Sequence, residues 1–272
     1  MKEFSEMRDI RELAKVSDDL IQCEELTRVS FKGQSYPVLG FKIGSDDPKA
    51  PCLGLFGGVH GLEKVGTHVV TNYLNSLFKQ LKWDQKLRDQ YKNFRLVSIP
   101  LINPGGMANN NRSNPNGVDL MRNAPIDGDQ KGLPLLSGHR ISNLLPWYRG
   151  EEQAKMEVET QAVCDFVNKY MFNSKTAMSI DFHSGFGMRD RLWYPWGRTQ
   201  NDFPHIKQVQ NIIDLLDETL PYHIYITEPQ SASYIINGDL WDYLYAEKER
   251  MSDFHENIFI PWTLEMGSWM WV

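Results

Sequence analysis

Short unbroken apolar runs and apolar stripes at helical spacing alternate along this chain, separated by stretches rich in Asn, Pro and Gly. Met7, Ile10, Leu13, Val16, Leu20 and Ile21 predict an amphipathic helix over residues 6–22, and residues 26–31 and 36–43 predict a hairpin around Lys32-Gly33-Gln34. Residues 51–55 form an apolar run with the flanks of a buried strand. Val65, Val69, Val70, Tyr73, Leu74 and Leu77 then mark a helix over about 64–80. A second buried strand over 94–100 stops at Pro100 and Asn103-Pro104-Gly105-Gly106. Residues 103–148 carry few apolar repeats, and so long a loop within a compact domain is usually functional or disordered. Met156, Val158, Ala162, Phe166, Val167 and Met171 predict a helix over 150–171, and residues 177–182 a strand that ends at His183. Helices over 204–219 and 239–249, with strands over 223–227 and 258–264, complete the pattern. Alternation of this kind predicts one α/β domain over 1–272. Its centre is a mixed, mostly parallel twisted sheet with helices on both faces, and residues 1–45 form a helix plus hairpin packed on it.

Composition narrows the partners. The chain has 272 residues, 41% hydrophobic and 24% charged, ordinary for a globular domain. A net charge of −6 disfavours nucleic acid and anionic membrane surfaces, and no run of 18 apolar residues offers a membrane span. The charged start MKEFSEMRDIREL lacks the apolar core of a signal peptide, and the three scattered cysteines read as free thiols; both suggest a cytoplasmic protein. Oligomeric state is not legible.

Candidate chemistry begins at Gly57-Gly58-Val59-His60-Gly61-Leu62-Glu63, a strand-to-helix junction where three residues of separation can turn His60 and Glu63 toward one point. Imidazole and carboxylate are both good zinc ligands, although a Glu in the first turn of a helix is also stabilised by the helix dipole alone. His183 lies 123 residues after His60 at a predicted strand end, where α/β sheets gather their sites. It would complete a His2Glu set with an open position for water. The polar stretch from Arg112 to Asn123 adds two arginines ten residues apart, suited to an oxyanion and a carboxylate. Asp181, two residues before His183, points to the same side of its strand and can orient that ring or make an ordinary buried hydrogen bond.

These elements in this order resemble the zinc carboxypeptidases of the M14 type: His60-x-x-Glu63, Arg112, Gly117-Val118-Asp119-Leu120-Met121-Arg122-Asn123, His183-Ser184 and Thr263-Leu264-Glu265. The resemblance spans about residues 55–266 and implies the zinc-carboxypeptidase, phosphorylase/hydrolase-like fold. It implies one Zn2+ per chain on His60, Glu63 and His183, Glu265 as general base, and Arg112 as oxyanion stabiliser. Arg122 would receive a substrate's terminal carboxylate, with Asn123 and Ser184 beside it, and Asp119 would fix the tautomer of His60. The family also supplies a mobile catalytic tyrosine, for which Tyr234 is the candidate and Tyr225 and Tyr243 compete. Trp262, Leu264, Met266 and Trp269 are expected to surround Glu265, so that its charge needs a partner.

Three departures stand out. Met121 replaces the Asn that precedes the second arginine in the family pattern, which removes a donor for the carboxylate. The spacing from Tyr234 to Trp241 is not the usual one. The chain stops at Val272, seven residues after Glu265, where the family adds a helix, as in a shortened version. Asp239 reads as a helix N-cap or, in the family register, as an acidic group facing the side-chain pocket. The expected activity is hydrolysis of a C-terminal peptide bond by zinc-activated water. The alternatives are a deacylase of the desuccinylase/aspartoacylase type acting on small N-acyl amino acids, which shares the Gly-Gly-x-His-Gly-x-Glu opening, and a metal-free binding module.

Overall fold

The computed structural model describes residues 3–268. Eight strands form one sheet in the order β1-β2-β4-β3-β5-β8-β6-β7. They are β1 (Ile21–Phe31), β2 (Gln34–Gly44), β3 (Cys52–Gly57), β4 (Arg95–Ile99), β5 (Thr176–His183), β6 (Arg191–Tyr194), β7 (Ile226–Pro229) and β8 (Ile258–Glu265). The centre, β4-β3-β5-β8, is parallel, while β2 joins β4 and β6 joins β8 antiparallel. The predicted fold class is therefore the observed one. The N-terminal hairpin, however, is not packed on the domain: through the pairing of β2 with β4 it extends the sheet itself.

Helices cover both faces. On one, α1 (Ser5–Leu13), α2 (Lys64–Leu81) and α3 (Gln85–Tyr91) close a core around Met7, Ile10, Phe41, Val70, Leu74, Leu81 and Leu96. On the other, α5 (Val158–Met171) and α7 (Leu240–Glu249) pack through Val163, Phe166, Val167, Trp241 and Tyr245 against Phe56 and Phe259, and α6 (Ile206–Thr219) adds Val209 to the same cluster, which also holds Trp262. A short α4 (Pro104–Ala108) lies between β4 and the long loop.

Several elements differ from their predicted extent, for local reasons. The first helix ends at Leu13, because Asp18 accepts the amides of Leu20 and Ile21 and turns the chain into β1. The helix predicted from 150 begins at Val158: Asn123 Oδ1 accepts the Glu157 amide at 2.6 Å, and Arg140 holds Gly150 O and Glu151 O, keeping that stretch out of the helix. In α2 the positions Val65, Val69 and Tyr73 face solvent, and Val70, Leu74 and Leu77 form the buried stripe. Neither α3, capped by Asp84 on Leu87 N, nor the four-residue β6 stands out in the sequence pattern.

The long loop is ordered by polar side chains. Asn114 Oδ1 accepts Asn116 N and Val118 N, while its amide donates to Glu157 and Glu159. Glu159 is buried, and burial, reinforced by the Glu157 charge, pushes its carboxyl up to about 7 from 4.5. A carboxyl raised on folding binds its proton more tightly in the native state. Its stabilising contribution is full below pH 4.5 and fades as the pH rises through about 7. Glu159→Gln should therefore flatten the loss of stability over this window, which is worth up to about 3 kcal/mol. Chemical denaturation at several pH values measures it; parallel curves for both proteins would count against the assignment.

Candidate active site

The carboxyl ends of β3, β5 and β8 meet at one point, as the parallel register brings His183 beside Glu265 and Gly57 beside Phe182. β3 delivers His60 and Glu63 immediately before α2, β5 ends on His183 and β8 ends on Glu265. Gly66 makes the junction possible. A Cβ there would come within 2.1 Å of Phe182 O, so only glycine lets the first turn of α2 approach the end of β5.

His60, Glu63 and His183 are all buried, and one donor atom from each lies within 4.8 Å of the others. Glu63 Oε2 accepts the Ser184 amide at 2.9 Å and lies 3.5 Å from His183 Nδ1. Glu265 Oε1 lies 3.9 Å from the same nitrogen. His60 Nδ1 and Glu265 Oε2 are buried with no hydrogen-bond partner among the described residues. Such orphans cost free energy unless something polar satisfies them. Two imidazoles and a carboxylate with unsatisfied atoms beside them fit a zinc ion.

Charge governs the rest. Burial opposes the charge of His183, but Asp181, Glu63 and Glu265 outweigh it and raise its pKa well above 6.5. Burial and the Arg112 guanidinium push His60 down to about 3. Burial would raise Glu63, yet His60, His183 and Arg112 hold it below the usual carboxylate range. Glu265 goes the other way, to about 7, because burial and the Glu63 charge outweigh His183 and Arg112. Its neighbours are thus the site residues. Trp262 and Leu264 alternate to the opposite face of β8, contrary to the predicted apolar surround, and Trp269 lies outside the described residues.

Asp119 occupies the centre of the second layer. Its Oδ2 accepts Arg112 Nε and Arg122 Nη1, each at 3.0 Å, and its Oδ1 accepts the Met121 amide at 3.1 Å. Oδ1 lies 3.6 Å from His60 Nδ1, too long for the expected tautomer-fixing hydrogen bond. Arg112 also reaches Glu63 Oε1 at 3.3 Å and His60 Nε2 at 2.6 Å. Arg122 Nε donates to Leu136 O at 3.1 Å and Nη2 to Tyr234 Oη at 3.3 Å, so Tyr234, not Tyr225 or Tyr243, reaches the arginines. Tyr225 pairs instead with the His223 ring, and Tyr243 packs on the core.

Other expected residues take different parts. Asn123 bonds main chain with both ends of its amide, Nδ2 to Arg149 O and Oδ1 to Glu157 N. Ser184 donates its amide to Glu63 Oε2. Met121 is buried in the apolar core and offers no donor. Asp181 Oδ2 lies 3.0 Å from His183 Nε2, at ion-pair distance but off line for a hydrogen bond, and accepts Trp241 Nε1 at 2.9 Å. Trp241 was not expected in this role; the strand alternation that places Asp181 beside His183 could have found only the first of the two. Asp239 is the N-cap of α7, accepting Trp241 N and Asp242 N on Oδ1, with Oδ2 buried and unpartnered among the described residues.

Comparisons with known proteins agree with this geometry. The chain is 26% identical over 207 residues to the carboxypeptidase N catalytic chain of Rattus norvegicus, covering 65% of this chain and 41% of that one. It is 30% identical over 122 residues to carboxypeptidase SOL1 of Arabidopsis thaliana, covering 42% of this chain and 25% of that one. The chain thus spans well under half the length of these curated relatives. Among solved structures, carboxypeptidase A from Helicoverpa armigera superimposes with a TM-score of 0.70 at 17% identity, over 97% of this chain and 64% of that one. Thrombin-activatable fibrinolysis inhibitor gives 0.69 at 16% identity, over 94% and 63%. At these identities the structural likeness speaks for the fold alone. Residues 7–268 match the family model for zinc carboxypeptidase, which takes in the whole sheet and every residue of the site, and the chain belongs to that family.

Proposed function

We propose that this protein is a zinc-dependent carboxypeptidase that hydrolyses the C-terminal peptide bond of a peptide. The observation that carries the reading is the convergence of His60, Glu63 and His183, with the orphaned Glu265 Oε2 beside them. His60, Glu63 and His183 would hold the ion. Bound zinc supplies a Lewis acid and lowers the pKa of water from 15.7 to about 7. Glu265 accepts a proton at Oε2 from the attacking water and returns it to the leaving amine. Arg112, already anchored by Asp119, turns its remaining N–H groups to the charge that develops on the scissile carbonyl oxygen. Arg122 receives the substrate's terminal carboxylate. Three of its five N–H groups are committed, and the two left, one on each terminal nitrogen, suit a planar anion. The family match favours this reading over a deacylase of small N-acyl amino acids, and the full donor set gives no reason to invoke a metal-free module.

Metal analysis tests the proposal. Purified protein should hold one zinc per chain. His183→Ala should lose most of it while keeping its helical circular dichroism, since β5 ends at that residue and its pairing does not need the ring. Full zinc occupancy in His183→Ala would remove His183 from the set.

A further inference from the structure

Behind Arg122, the chain from Arg122 to Asp127 bends around the buried side chain of Arg149, the residue just after the long loop. Arg149 Nε donates to Arg122 O at 3.1 Å, and Nη2 donates to Ile126 O at 3.0 Å and Ala124 O at 3.5 Å. Its Nη1 pairs with Asp127 at 2.6 Å, and its own carbonyl accepts Asn123 Nδ2 at 2.9 Å. Arg122 is the last residue of a one-turn helix (Leu120–Arg122), so its carbonyl has no intrahelical partner. Buried carbonyls need donors: Ala124 O and Ile126 O also accept the Ile126 and Gly238 amides, while Arg122 O takes its hydrogen bond from Arg149.

The same stretch is laced to the segment that carries Tyr234 and Asp239. Ala124 N donates to Gly238 O at 3.1 Å, and Gly238 N donates to Ile126 O at 2.6 Å. Gly238 has φ +78, and a Cβ there would come 1.9 Å from Arg122 O and 2.7 Å from Arg149 Nε. The backbone before Asp239 therefore closes directly onto the Arg149–Arg122 contact.

We infer that Arg149 is a positioning residue for substrate recognition: by holding Arg122 O and the Gly238 backbone in register, it fixes where the Arg122 guanidinium meets the substrate's carboxylate. This rests on the reading of Arg122 as the carboxylate receptor. Asp119 and Leu136 O fix the guanidinium end of Arg122, and Arg149 fixes its main-chain end. The Asp127 partner is well exposed, so the ion pair adds little and the carbonyl contacts carry the role.

The test is steady-state kinetics of the zinc-loaded protein on a peptide with a free C-terminus and on its C-terminal amide. Arg149→Ala, Arg149→Lys and Arg122→Ala are compared with the parent. Lys keeps the charge but cannot span three carbonyls. Both Arg149 variants should raise KM for the free acid by about tenfold, with kcat within about threefold, and should shrink the acid-to-amide preference by the same factor. Arg149→Lys serves alone if the Ala variant does not fold. Equal losses on both substrates that vanish when rates are normalised to folded, zinc-loaded protein would show a merely structural role and overturn the inference. Preference lost in Arg122→Ala but intact in the Arg149 variants would overturn it while sparing the reading of Arg122. A parent protein indifferent to amidation would overturn both.

Discussion

Glu265→Gln is expected to lower kcat by about 10²–10⁴-fold while leaving bound zinc in place. The amide keeps the size of the carboxylate, so the packing at the end of β8 is preserved. What it loses is the ability to take up a proton at Oε2, a buried oxygen without a partner among the described residues. Without the ion, burial and Glu63 push this carboxyl up to about 7; the charge of a bound zinc draws it down, toward the ionised form that a base needs. The zinc donors are His60, Glu63 and His183, so metal content should not follow activity down. Single-turnover rates and metal analysis on the same preparation decide the matter. Unchanged kcat would take Glu265 out of the chemistry, and parallel loss of zinc and activity would make it a ligand instead of a base.

Asp119→Ala is expected to cost stability rather than chemistry alone, by about 3–5 kcal/mol. Asp119 is fully buried and is the shared acceptor of Arg112 and Arg122. Burial alone would raise its pKa, but the two guanidiniums and His60 hold it well below the usual carboxylate range. Removing it leaves the buried Arg122 guanidinium without its carboxylate and Arg112 with Glu63 alone, and frees the Met121 amide as well. Asp119→Asn retains the shape and one acceptor oxygen and should lose less. Denaturant midpoints measure both variants. A stable Asp119→Ala protein would mean that water or the neighbouring carboxylates neutralise the arginines without it.

How much of this was readable before folding differs by residue. His60, Glu63, His183 and Glu265 were legible because they sit at strand ends with spacings that belong to a known pattern, and hydrophobic runs fix those strand ends. Tyr234 could be named but not separated from Tyr225 and Tyr243, since only the fold brings its hydroxyl to Arg122. Asn123 belongs to the motif, and only the fold shows that both ends of its amide are held by Arg149 O and Glu157 N. Arg149 left no signal at all. It lies in a stretch without periodicity, and its value depends on carbonyls up to 27 residues away in sequence. The sheet's parallel centre was legible, but β6 was too short and α3 too polar to register. The helix predicted from 150 failed because a side chain, Asn123, competes for the backbone at Glu157.

The most direct test of the central claim is product analysis on a free-acid peptide. Zinc-loaded protein should release residues one at a time from the C-terminus, stop on chelation and resume when zinc is restored. Internal cleavage, or release of an N-acyl group with the peptide bonds left intact, would contradict the account.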